Sequence, residues 1–127
     1  MAKIKDYVLP SGTTIRIGRD AEGNDKLVRE AKPNETLIHT VAPGSPFVNV
    51  GENPSKNDLN EAAVFCAKCS QDWRDNHRAT DVNIFKKKDM NKSPKMKVGT
   101  WSVKKQEKIK VKKAEILKVE ERLNEAD

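Results

Sequence analysis

The charges of this chain are segregated along the sequence, and that segregation limits where a core can form. Between residues 82 and 113, twelve lysines stand against only Asp89 and Glu107, a net of +10. Residues 1–80 hold eleven basic and eleven acidic side chains and cancel, while residues 114–127 set five acids against Lys118 and Arg122. Unpaired charges are expensive to bury, so the basic segment joins a core only through the apolar residues between its lysines. Ile109 and Val111, alternating with Lys108, Lys110 and Lys112, fit a strand with one packed and one basic face. Like charges crowded together also cost stability unless an anion compensates them, which points to a polyanionic partner. The bland alternative is a solvated face, or an edge strand guarded against aggregation.

With 127 residues, 35% hydrophobic and 35% charged, the chain suits one small domain whose core leaves no room for a large internal substrate cavity. The opening Met-Ala-Lys-Ile-Lys-Asp has no apolar run, and no stretch approaches the ~18 apolar residues of a membrane helix. Two cysteines do not make a secreted disulfide scaffold. The expectation is a soluble, cytoplasmic protein without a membrane partner.

Residues 4–17 read as a β-hairpin, with Tyr7-Val8-Leu9, a Pro10-Ser11-Gly12 turn and a β-branched arm ending in Ile15 and Ile17. Residues 20–31 read as a loop with Gly23-Asn24, then a short helix carrying Leu27, Val28 and Ala31, stopped by Pro33. Thr36–Val41 and Phe47–Val50 read as strands around a turn at 42–46, with Gly51 closing the second. The main helix is expected at about 55–73, entered through Ser55 with Asp58 three residues on and carrying Leu59, Ala62, Ala63, Cys66 and Trp73 at helical spacing. Strands near 80–85, 98–103 and 108–111 flank a lysine-rich loop. The tail, 113–127, is helix-forming, with a thin stripe of Ile116, Val119 and Leu123, and is expected to fray or to dock. Strands, helix, strands and short connections predict an α+β domain over 1–112 with a mixed or mostly antiparallel sheet packed by one main helix.

Four groups of residues could carry chemistry. Lys86, Lys87, Lys88, Lys92, Lys95 and Lys97 could line a phosphate-binding edge, extended by Lys104, Lys105, Lys108, Lys110 and Lys112. Lysine suits this as a mobile point charge that demands no particular base. Cys66-x-x-Cys69 lies mid-helix without a second ligand pair, so a packing role is favoured over a metal or redox role. His39 sits in an apolar strand before Pro43-Gly44-Ser45, either as a structural hydrogen-bonder or as a site residue. The turns Gly18-Arg19-Asp20 and Gly23-Asn24-Asp25 suit an anion nest with Arg19 forking onto a phosphate, or plain turn chemistry. No Walker A or dinucleotide fingerprint is present, and no cofactor or metal is expected.

Ile15-x-Ile17-Gly18-Arg19-Asp20-x-x-x-Asn24-Asp25-x-Leu27 resembles the opening signature of the RNA-binding domain of the NFACT proteins (NFACT-R). That domain is shared by fibronectin-binding-protein-like ribosome quality-control factors. Asn34-Glu35-Thr36-Leu37-Ile38-His39 with Pro43-Gly44-Ser45 resembles the family's second motif, and Lys86-Lys87-Lys88, Lys92, Pro94, Lys95 and Gly99 a third. The likeness spans about 11–112. Glu35 stands where aspartate is usual, Leu37 where tryptophan is and Pro46 where a second histidine is, so the roles of that tryptophan and second histidine do not carry over.

The resemblance implies a free-standing, archaeal-type form of the domain that binds tRNA or ribosomal RNA in translation and ribosome quality control, with the large ribosomal subunit as a candidate partner. Arg19, Asn24 and His39 would position the RNA, and the lysines of 86–110 would clamp its phosphates. On this reading the chain is not an enzyme. One rival is an RNA-processing hydrolase or nuclease built on His39, Asp25 and Asp20. The other is an adaptor that docks on a protein through its C-terminal helix.

Overall fold

The computed structural model describes residues 2–42, 44–91 and 101–126, the last four by their backbone alone. Elements run β1 (Ile4–Val8), β2 (Thr14–Gly18), α1 (Ala21–Glu30), β3 (Glu35–Thr40), β4 (Val48–Glu52), α2 (Lys56–Lys68), α3 (Gln71–Asn76) and β5 (Thr80–Lys86). A short 3-10 turn (Lys87–Asp89), β6 (Met90–Asn91), β7 (Ser102–Val103), β8 (Glu107–Val111) and α4 (Lys113–Ala126) follow among the described residues. Six strands form one sheet in the order β1-β2-β4-β3-β5-β8, every neighbouring pair antiparallel, and β6 pairs with β7 in a separate two-stranded ribbon. The fold is α+β.

Alternation along the strands divides the interior in two. Ile15, Ile17, Ile38, Val48, Val82 and Val111 point to one face, where α2 and α4 cover them. Leu37, Phe47 and Phe85 point to the other, under Leu27, Val28 and Ala31 of α1 and beside Trp101 and Val103. β3 shows the switch most simply, since Leu37 and Ile38 are both fully buried yet belong to opposite layers. Cys66 lies in the α2 layer with no exposed surface, and burial pushes its thiol up to about 12.

Three expected boundaries move. α1 begins at Ala21, because the Asp20 carboxylate accepts from Gly23 N at 2.6 Å and caps the helix; Gly23-Asn24-Asp25 is therefore helical and forms no loop nest. The single helix expected at 55–73 breaks in two. Ser70 donates to Ala67 O at 2.6 Å and accepts from Trp73 N at 3.1 Å, ending α2 and starting α3 in a direction that buries Trp73. β4 starts after Phe47 and runs through Gly51, which has φ +88°, to Glu52. Of the strand expected at 98–103, Ser102 and Val103 are seen as β7, and residues 98–100 lie outside the described part.

The C-terminal helix docks. Ile116 and Val119 are buried in the α2 layer, and Arg122 pairs with Glu61 of α2 at 2.9 Å. At the other end of α2, Ser55 accepts from Asp58 N as the cap. The Asp58 carboxylate accepts from Ser11 and Thr13 of the β1–β2 turn, both at 2.6 Å.

Candidate nucleic-acid interface

The motif residues first build a frame. Gly18 closes β2 where α1 crosses it; a Cβ there would stand 2.0 Å from Asn24 Oδ1. That oxygen accepts the Phe47 N–H at 3.0 Å, so the glycine, the asparagine and the start of β4 lock together. Ser45 braces the next loop, its Oγ accepting from Thr40 N at 3.0 Å and donating to Pro46 O at 3.2 Å. Gly44, at φ +92°, accepts from Gln71 N at 2.9 Å and ties α3 to the same loop.

This frame encloses an open cavity of about 1140 Å³ at one end of the sheet, and Arg19, Asn24 and His39 all line it. Arg19 is exposed, with a guanidinium nitrogen 3.5 Å from the Tyr7 hydroxyl. Asn24 contributes through the frame, its oxygen being committed to Phe47. His39 Nδ1 donates to Thr40 O at 2.7 Å, and the ring leans on Phe47 at a centroid distance of 4.5 Å. Burial lowers its pKa below the usual histidine value, against the opposing pull of the Thr40 and Ser45 carbonyls, so it is a neutral ring at physiological pH.

Two further cations on the lining, Lys68 and Arg74, come from the charge-neutral half of the sequence. Arg19, Lys68 and Arg74 line the cavity together with Cys69, whose thiol burial pushes up while Lys68, Arg19 and Arg74, in that order, oppose the rise. Charge density along the chain could not reveal them, because it is the α2–α3 break that brings them to Arg19. Carboxylates on the lining are Asp20, which caps α1, and Glu120.

The lysines do not form one edge. Lys86 lies on the α2 face of β5, in step with Val82 and Ile84, whereas Lys108 and Lys110 lie on the opposite face of the edge strand β8. Lys86, Lys104 and Lys105 border a second cavity of about 790 Å³ at the far end of the β3–β5–β8 ladder. Lys87 turns inward: its Nζ donates to Val28 O at 2.7 Å and sits 5.7 Å from the centre of the Trp101 ring, and burial followed by Arg29 lowers its pKa. The expectation that Lys86, Lys87 and Lys88 form one exposed set therefore fails at Lys87. Lys88, Lys104, Lys105, Lys108, Lys110 and Lys112 are exposed, and Lys92, Lys95 and Lys97 lie outside the described residues.

His39, Asp20 and Asp25 are not assembled as an acid–base set. Asp20 is the α1 cap, and Asp25 accepts from Trp101 Nε1 at 3.1 Å and pairs with Arg29. No hydrogen bond joins either acid to His39 among the described residues, and those residues contain no cluster of three potential metal ligands.

No curated protein matches the chain. Among solved structures, the C-terminal part of the fibronectin/fibrinogen-binding protein from Streptococcus suis matches with a TM-score of 0.78 at 24% identity, a likeness of fold. The match covers 87% of this chain and 45% of that one, so the chain spans less than half the length of the matched structure. The model of the NFACT protein RNA binding domain matches residues 3–105, and the chain belongs to that family.

Proposed function

We propose that the chain is a non-catalytic RNA-binding module that grips structured RNA, tRNA or ribosomal RNA, during cytoplasmic translation and ribosome quality control. One observation carries the reading beyond family membership: Arg19, Lys68 and Arg74 converge on a cavity at the sheet end, beside a sheet face whose edge strand presents Lys108 and Lys110. Cations spaced around a concave surface suit successive phosphates, and Arg adds a two-pronged contact that fixes orientation. Binding is favoured over turnover because the acids nearest in sequence to a nuclease-like set are engaged in capping and in holding Trp101. The adaptor reading is disfavoured because Ile116 and Val119 are spent on this chain's own core.

The test is the salt dependence of binding to a tRNA transcript. Neutralised phosphates release counterions, so each lost contact flattens the log–log slope by ~0.7 to 0.9. Arg19→Gln, Lys68→Gln and Arg74→Gln together should weaken binding and flatten the slope by about two units. A folded triple variant with the parent's affinity and slope would refute the assignment.

A further inference from the structure

The face of the sheet beside the cavity carries a feature that phosphate binding does not use. Asn83 lies in β5, directly opposite His39 of β3 on one side and Lys108 of β8 on the other. The three side chains form a row across neighbouring strands, at about 4.8 Å per step. Asn83 is half-buried on the cavity lining, and Phe85 follows it two residues along the same face. Asparagine is disfavoured in strand interiors, so its presence here asks for a reason.

Two other asparagines of the sheet and its frame have internal work. Asn49 donates to Glu35 and accepts from Gly51 N, and Asn24 accepts from Phe47 N. The Asn83 carboxamide has no hydrogen-bond partner among the described residues. A donor and an acceptor, side by side, therefore face the cavity between a flat neutral ring and a cation.

We propose that this row is a reading site for one unpaired nucleotide of the bound RNA. The base lies against His39, the Asn83 carboxamide bonds its exposed edge, and Lys108 takes the neighbouring phosphate. The inference rests on the RNA-binding reading and adds what part of the RNA is recognised. A carboxamide pairs two-pronged with the donor and acceptor that an adenine edge presents. Paired bases cannot offer that edge: the A-form major groove is too narrow and deep for side chains, and the Watson–Crick edges are occupied. Only a splayed-out base, from a loop, a bulge or an end, reaches a sheet floor.

Two RNA probes decide it, a blunt duplex and the same duplex with a 3′ overhang of unpaired adenosines, each titrated by fluorescence anisotropy. The parent should prefer the overhang probe by about tenfold, the lower range for one two-pronged base contact. Asn83→Ala should bring that preference close to one while leaving duplex affinity within about twofold. Asn83→Thr, which keeps a strand-compatible side chain, should do the same, so a folding defect in the alanine variant does not obscure the result. An overhang preference that survives in both variants overturns the base-reading assignment. So does a parent that binds both probes equally, although RNA binding itself then stands. A parent that binds neither probe overturns the underlying reading as well.

Discussion

Gly18→Ala tests whether the glycine-arginine-aspartate signature builds the site or touches the RNA. The new Cβ would stand 2.0 Å from Asn24 Oδ1 and 2.9 Å from Asn24 Cα, both closer than carbon tolerates, so α1 or the Asn24 side chain has to move. If the carboxamide moves, the N–H of buried Phe47 loses its 3.0 Å partner. An orphaned buried N–H costs about 1–3 kcal/mol, and the overpacking itself about 1–3 kcal/mol. The expected loss is thus about 2–6 kcal/mol, or roughly 7–22 °C in Tm for a domain of this size. Asn24→Ala should lose only the hydrogen-bond share, about 1–3 kcal/mol. In the double variant the side-chain clash is gone and only the contact with the Asn24 backbone remains. Its loss should fall short of the sum of the two singles by about 1 kcal/mol or more, the mark of coupled neighbours. Urea unfolding followed by far-UV circular dichroism reads all three. A Gly18→Ala protein within about 0.5 kcal/mol of the parent, the range of a neutral surface change, would refute the reasoning, and so would strictly additive losses.

The other predictions concern side chains whose roles the structure divides. Lys87→Gln should lose about 1–2 kcal/mol, since it removes a charge-assisted bond to Val28 O at the end of α1 and the contact with Trp101. Lys86→Gln and Lys88→Gln should stay within about 0.5 kcal/mol; three equal urea midpoints would contradict this. Asp58 is held below the usual carboxylate value by the Ser11 hydroxyl, then by that of Thr13. A depressed carboxylate adds stability that is fully present above its unfolded value near pH ~4 and is lost as pH falls through the folded one. Asp58→Asn should therefore be less stable at pH 7 and flatter in urea midpoint below pH ~4, whereas parallel pH curves for the two proteins would refute it.

Much of the fold was legible because local rules and tertiary packing agreed. The Pro10-Ser11-Gly12 turn, the Ser55 cap and the alternation of Ile109 and Val111 each appear as read, and the apolar side of Cys66 faces the core. The break at Cys69-Ser70 was not legible, because apolar spacing from Leu59 to Trp73 is compatible with one helix. What decides is the Ser70 hydroxyl, which serves the end of one helix and the start of the next. At the site, Arg19, Asn24 and His39 do share one cavity, yet Asn24 serves it through Gly18 and Phe47. Asn83 and Arg74 carried no signal in the sequence. An asparagine in a strand looks like a weak strand residue until its neighbours on β3 and β8 are known.

Charge density along the chain also does not show how the cations are shared between the faces of the fold, for a geometric reason. A strand sends successive side chains to opposite faces, so a lysine run in β5 or β8 is divided by the sheet. Lys86 goes to the α2 side, Lys108 and Lys110 go to the other, and Lys87 is drawn into the end of α1. Meanwhile Arg19, Lys68 and Arg74, drawn from a segment that sums to zero, come together. The cavity they line reaches Thr40 of β3 and the one bordered by Lys86, Lys104 and Lys105 reaches Thr36, while Phe85 and Gln106 line both. Four residue steps of strand span roughly 13 Å, more than the screening length of about 8 Å at physiological ionic strength. Cations separated by such a span reinforce one another far more at low salt than at physiological salt.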